Sequence, residues 1–347
     1  MHIIEIDTLL AQKNSICVVD VRSEGEFNQG HIEGAINIPL LNNEERVKVG
    51  TTYKEKGNEA AVLLGYELVG SKFSAIIHSI KLAAPSKHVI VHCWRGGLRS
   101  RIVCQLLENA GFQVSQLKGG YKSYRHWVLQ LLSVELPLHV IGGLTGSGKT
   151  ALLHELHQKG EQIIDLEGLA SHKGSTFGGI GQAPQPTQEH FENKLAEVVK
   201  KLDLSKRIWI EDESRMIGTI ALPLKLWECL RYNILYELNV HFEYRLQRII
   251  VEYCSLPKNI LEEKTSLLRK RLGDLRLKEV LIFLQEGNMH AWAEALLVYY
   301  DKSYHYGQSK RDSRKRVKLD FRGTPSASIF LTQAEQLQIS IDQVMDT

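Results

Sequence analysis

Two stretches of this chain combine residue types and spacings that point to chemistry. The first, Gly143-Leu-Thr-Gly146-Ser147-Gly148-Lys149-Thr150, satisfies G-x-x-x-x-G-K-[ST] at every fixed position. Its glycines let backbone N–H groups turn toward phosphate oxygens, Lys149 adds a point charge, and the Thr150 hydroxyl is suited to ligating Mg²⁺. The second is His92-Cys93-Trp-Arg95-Gly96-Gly97-Leu-Arg99-Ser100. A cysteine at a strand-to-helix turn, followed by two glycines and two arginines, is expected among backbone N–H groups at the positive end of a helix. That setting lowers a thiol pKa and populates the nucleophilic thiolate, so Cys93 is the candidate catalytic residue. Arg95 and Arg99 are the groups to hold an oxyanion beside it.

Further candidates follow the phosphate loop. Asp165 lies at the end of the strand-like run QIIDL with Glu167 just after it, and Glu211-Asp212-Glu213 follow the strand-like RIWI. Acids at strand ends beside a phosphate site suit Mg²⁺ holding or acid-base work, with Thr150 and Asp212 as metal ligands. Between them, His172-Lys173-Gly-Ser175 opens a Gly-rich polar segment expected to serve as a lid or substrate loop, with a surface linker as the bland alternative. Near the end, Lys310, Arg311, Arg314, Lys315 and Arg316 follow a run containing Trp292, Tyr299, Tyr300, Tyr304 and Tyr306. Cations interleaved with rings suit RNA, where phosphates and unpaired bases meet them. The alternative is an ordinary charged helical face with the rings packed inward.

Elements must position these groups. Buried-strand runs at Ile16–Val21, Lys87–His92 and Phe112–Leu117, alternating with helical periodicity, predict a parallel α/β sheet with Cys93 at a strand's carboxyl end. Residues 40–70 predict an inserted loop plus helix near that site. Leu138–Ile141 predicts the strand before the phosphate loop, ALLHELHQKG the helix after it, and Gln185–Lys201 a further helix with Phe191, Leu195 and Val198 on one face. From Leu261 the spacing predicts helices. The expected domains are therefore 1–132, 133–260 with the phosphate loop, and a helical basic-aromatic region over 261–347.

Composition sets bounds. The 347 residues are 43% hydrophobic and 24% charged, with a formal net charge of +3, values ordinary for a globular chain and too small in charge to imply a polyanion partner alone. The five cysteines form no C-x-x-C pair, so neither zinc nor a redox couple is expected, nor is haem. No run reads as a membrane span and MHIIEIDTLLAQ does not read as a signal peptide, so no membrane association is expected and the expected compartment is the cytoplasm.

Resemblance adds to this. DVRSEGEF, GHIEGAINIP and the Cys93 loop resemble a rhodanese domain, although the loop also spells the signature of cysteine phosphatases. With NIPLLNNEER, VGTTYKEKG, LEGLASHKGSTFG and EDESRMIG in order, the chain resembles the tRNA 2-selenouridine synthases over nearly its whole length. The resemblance implies a bacterial enzyme acting on the wobble 2-thiouridine of tRNA. Geranyl diphosphate would first geranylate the sulfur, and selenium from selenophosphate would then displace the S-geranyl group. Cys93 would carry or orient selenium, and the phosphate loop would bind the prenyl diphosphate, with Mg²⁺ expected there. Two other readings stay open: a P-loop NTPase or kinase with a regulatory rhodanese-like module, and a cysteine phosphatase.

Overall fold

The computed structural model describes residues 1–253, 256–308 and 315–345. The chain divides into two compact units, one of residues 1–132 with 187–197 and one of 133–186 with 198–347. Each is built on its own five-stranded, all-parallel sheet, as expected for an α/β protein.

In the first unit the strands are β1 (His2–Ile4), β2 (Cys17–Asp20), β3 (Ile36–Asn37), β4 (His88–His92) and β5 (Gln113–Leu117), in the order β1-β5-β4-β2-β3. Strand β4 lies between β5 and β2, and Val89, Ile90 and Val91 are wholly buried, so only a continuous β-branched run suits it. Helix Leu98–Asn109 sends Val103, Cys104 and Leu107 into the same core. Residues 187–197, from the helix Gln188–Val199, complete this unit. There the Lys13 ammonium meets the Glu197 carboxylate at 3.1 Å, and Tyr124 donates to Glu197 at 3.0 Å.

The expected loop before the inserted helix is itself helical, running from Asn43 to Val69 with one kink at Gly57, where φ is +84°. A capping box starts it early: Asn42 accepts from the Glu45 N–H and Glu45 accepts from the Asn42 N–H, both at 2.9 Å. The reading that no run suits a membrane is also corrected. Among the described residues, the helical stretch Asn43–Ala83 is long and apolar enough to cross one by length and composition. Polar residues interrupt it in the sequence, and here Val69, Ile76 and Ile80 pack into the core of the unit.

In the second unit, β6 (Leu138–Gly143), β7 (Gln162–Ile164), β8 (Ile208–Glu211), β11 (Leu235–Val240) and β12 (Arg316–Phe321) pair in the order β12-β11-β6-β8-β7. A small antiparallel pair, β9 (Met216–Ile217) and β10 (Ile220–Ala221), stands apart. The expectation of a helical region over 261–347 is corrected at β12. That strand pairs with β11 from Leu235↔Arg316 to Val240↔Phe321, and the following helix puts Phe330 and Ala334 into the sheet's core. The six residues RVKLDF alternate outward polar with inward apolar side chains, a period-two signal that the adjoining basic run hides. Helices over 242–308 bury Trp292, Val280, Leu261 and Leu297 in a separate core.

Candidate functional site

Cys93 follows directly on β4 and is buried, with its Sγ 3.2 Å from Ser100 Oγ. Ser100 also donates to the Gly97 carbonyl at 3.1 Å and accepts from Gln116 Nε2 at 2.7 Å. A hydroxyl has one proton to give, so Ser100 either bonds Gly97 or turns that proton toward a Cys93 thiolate. The turn is clasped from below: Tyr121 N–H donates to the Cys93 carbonyl at 2.9 Å, and Gln116 donates to the Gly96 carbonyl at 2.9 Å. Gly120, at φ +60°, passes so close that a Cβ there would lie 2.3 Å from the Cys93 oxygen.

Beneath the turn lies a buried ion pair. Arg22 donates to Asp20 at 2.6 Å and to the Gly30 carbonyl at 2.7 Å, and its guanidinium stands 3.8 Å over the Tyr121 ring. Burial pushes the Asp20 carboxyl up, but His92 and Arg22 outweigh it and hold it below its ordinary value. Burial pulls the neighbouring His92 below its ordinary value, with Asp20 opposing the shift. A buried pair needs such hydrogen bonds to offset its desolvation, and here it ties the end of β2 to the Gly30 carbonyl.

Arg99 does not stand free. Its Nη1 donates to Glu26 at 2.7 Å, and Arg46 lies 3.2 Å from the same carboxylate. Burial pushes Glu26 up, but these two guanidiniums hold it below the usual carboxylate range. Three arginines, Arg22, Arg46 and Arg99, line a cavity of about 500 Å³ against two carboxylates, Glu26 and Glu189, with Trp94 also in its wall. Arg95 is exposed on the turn. Of the other cysteines, burial pushes Cys104 up to about 12, which makes it inert.

In the second unit the phosphate loop joins β6 to helix Lys149–Gln158. Gly146 and Gly148 have φ of +79° and +86°, and a Cβ on Gly146 would lie 2.8 Å from the Arg245 carbonyl oxygen. Lys149 Nζ donates to the Gly143 carbonyl at 3.0 Å, and the Gly143 N–H donates to Tyr304 Oη at 2.8 Å. Ser147 Oγ is buried with no hydrogen-bond partner among the described residues. Two arginines that the sequence reading missed brace the loop. Buried Arg245 donates to the Thr145 carbonyl at 3.1 Å and pairs twice with Asp301, and the Arg248 guanidinium lies against Gly148. Neither belongs to a motif; they come from the helix Phe242–Tyr253, about a hundred residues downstream.

The five candidate acids separate. Carboxylate oxygens of Glu167, Glu211 and Glu213 lie within 4.8 Å of one another, and Thr150 donates to Glu167 at 3.2 Å. Among the described residues, neither oxygen of buried Glu211 has a hydrogen-bond partner. Burial and mutual repulsion, only partly offset by Lys149, raise Glu167 to about 7; burial raises Glu211 to about 7 and Glu213 well above its ordinary value. A hard divalent cation would satisfy such a set, so Glu167, Glu211, Glu213 and Thr150 fit Mg²⁺. Asp212 instead faces Arg231 at 3.7 Å. Asp165 caps the short helix Leu166–Ala170, accepting from Gly168 N–H at 2.8 Å, and also meets His154 at 2.9 Å.

The segment with His172, Lys173 and Ser175 folds beside this cluster: a Cβ on Gly174 would lie 2.7 Å from Glu213 Oε2. Its Phe177 is buried against Tyr253 and Trp292, and Lys173 pairs with Glu252. Among the described residues of the basic-aromatic stretch, Trp292, Lys315 and Arg316 are engaged in structural contacts. Trp292 is buried and donates to Thr265 at 3.2 Å, Lys315 donates to the Tyr232 carbonyl at 2.8 Å, and Arg316 pairs with Glu237 at 2.8 Å. Lys310, Arg311 and Arg314 lie outside the described residues.

Comparison with known proteins agrees with this two-part plan. The rhodanese-like domain family matches residues 4–126, and the tRNA 2-selenouridine synthase AAA domain family matches residues 136–336. A tRNA 2-selenouridine synthase of Bdellovibrio bacteriovorus is 36% identical, over 91% of this chain and 93% of that protein. One of Hydrogenovibrio crunogenus is 36% identical over 92% and 96%, and one of Serratia proteamaculans 37% identical over 89% and 90%. The N-terminal sheet carrying Cys93 is thus a rhodanese-like domain, the sheet carrying Lys149 is a P-loop domain, and the chain is an enzyme belonging to the tRNA 2-selenouridine synthase family.

Proposed function

We propose that this enzyme converts wobble 2-thiouridine in tRNA to 2-selenouridine through an S-geranyl intermediate, with Cys93 serving the selenium step and the Lys149 loop the prenyl step. In the first step the thiocarbonyl sulfur bonds to the allylic carbon of geranyl diphosphate, the carbon–oxygen bond breaks, and diphosphate leaves with the electron pair. In the second, the S-geranyl nucleoside, selenophosphate and water give the selenonucleoside, geranylthiol and phosphate.

The observation that carries this reading is the pairing of two anion sites of different chemistry in one chain. The Lys149 loop, with Arg248 against Gly148 and the acids Glu167, Glu211 and Glu213 beside Thr150, suits a departing diphosphate. When bound there, Mg²⁺ would neutralise charge on that leaving group. The Cys93 turn, with a soft buried thiol and the Arg99 guanidinium, suits a small anion bearing selenium. Cys93 orients the donor while Ser100 supplies or withdraws its single proton.

The test supplies purified enzyme with 2-thiouridine tRNA, geranyl diphosphate, selenophosphate and Mg²⁺, followed by mass spectrometry of the nucleosides. S-geranyl-2-thiouridine should rise first and 2-selenouridine later. Nucleotide hydrolysis that ignores tRNA, or vanadate-sensitive release of phosphate from an aryl phosphate with no change in the nucleosides, would replace this reading with an NTPase or a phosphatase.

A further inference from the structure

A second cavity, of about 450 Å³, opens in the first unit between the helix Asn43–Val69 and the start of the helix Leu98–Asn109. Its walls are apolar, with Leu41, Val49, Val62, Val69, Leu98 and Ile102 among them. Tyr53 and Leu98, 58% and 42% exposed, remain open to water at its rim, a cost that a free surface has no reason to carry. Its charged lining residues among those described are Arg46 and Arg99, and both also line the cavity beside the Cys93 turn. The space therefore joins a hydrocarbon-lined slot to a cationic mouth.

We propose that this slot holds the hydrocarbon chain of the S-alkylated nucleoside while selenium replaces its sulfur, an inference that rests on the two-step reading above. Its volume lies within the range of small-molecule sites, about 300–1,000 Å³, and a branched ten-carbon chain has no polar group to satisfy within it. With the chain seated, the C2–S bond sits at the mouth beside Arg99. As the C2–Se bond forms and the C2–S bond breaks, the electron pair departs on sulfur, and water then cleaves the Se–P bond and carries the phosphoryl group away as phosphate. The Arg99 guanidinium meets that charge before solvent protonates the thiolate to geranylthiol. The slot thus selects the prenylated nucleoside over the unmodified one.

The experiment uses full-length enzyme and two anticodon stem-loop RNAs, one bearing S-geranyl-2-thiouridine and one S-methyl-2-thiouridine. Single-turnover selenation is read with each, together with calorimetric binding of the free S-geranyl nucleoside. Native enzyme should prefer the geranyl RNA by about tenfold or more, since each buried methylene contributes favourably. Val62→Trp, which fills the slot, should abolish the nucleoside binding and bring the geranyl RNA down to the rate of the S-methyl RNA. Tyr53→Asp, at the exposed rim, should do the same in part and cannot fail through loss of core packing. Equal losses with both RNAs, or binding unchanged in both variants, overturn the slot. Val62-dependent binding without any selenium transfer supports the slot and overturns the two-step reading.

Discussion

Arg99 and Glu26, separated by 73 residues, are joined at 2.7 Å in the wall of the cavity that Trp94 also lines, and Arg46 shares the carboxylate. An incoming anion must therefore compete with Glu26 for the guanidinium. Glu26→Gln keeps the capping interaction with the Ser23 N–H but removes the charge. The KM for selenophosphate is expected to fall several-fold with kcat nearly preserved, whereas Arg99→Ala should raise KM by about 10–100-fold. Steady-state selenation at constant ionic strength decides between these and a purely structural pair, for which both variants would lower kcat alike.

Cys93→Ala removes the thiol but leaves the backbone clasp of Tyr121 and Gln116 in place. Selenation should fall by at least about 100-fold while S-geranyl-tRNA accumulates. Nucleoside mass spectrometry of tRNA from cells carrying the variant reads both products at once. Equal loss of geranylation would show that the two sites do not divide the work.

Lys149→Ala should abolish geranylation, and Arg248→Ala, whose guanidinium lies against Gly148, should weaken it by about 10–100-fold. Selenation of pre-geranylated RNA should survive both. Unchanged prenyl transfer in the lysine variant, measured with labelled geranyl diphosphate, would remove the P-loop from the chemistry.

The acid cluster makes stability depend on pH. Glu167 and Glu211 are raised to about 7 in the folded chain, so between pH ~4.5 and ~7 the folded state holds protons that the unfolded state has lost. Stability must then fall as pH rises through that window and level off above it. Without Mg²⁺ the melting temperature of the second unit should drop by roughly 10 °C or more from pH 5 to pH 8. Millimolar Mg²⁺ should restore it at pH 8, and Glu211→Gln should flatten the profile. Scanning calorimetry across this range checks all three.

Much of this protein is written locally in its sequence. The phosphate loop, the Cys93 turn, the buried β-branched strands and the parallel α/β class depend on neighbours a few residues apart, so their patterns survive reading in one dimension. Other relationships needed the chain to fold. Three adjacent acids look equivalent in sequence, yet the backbone at the end of β8 turns Glu211 and Glu213 toward Thr150 and Glu167 and sends Asp212 to Arg231. A basic run conceals β12, because the sheet partner that makes it a strand lies some eighty residues earlier. Arg248, Glu26 and the slot beside Arg99 belong to no motif. Only long-range packing sets which charges meet and which apolar walls stay uncovered, because Coulomb and dispersion forces act on distance in space rather than on separation along the chain.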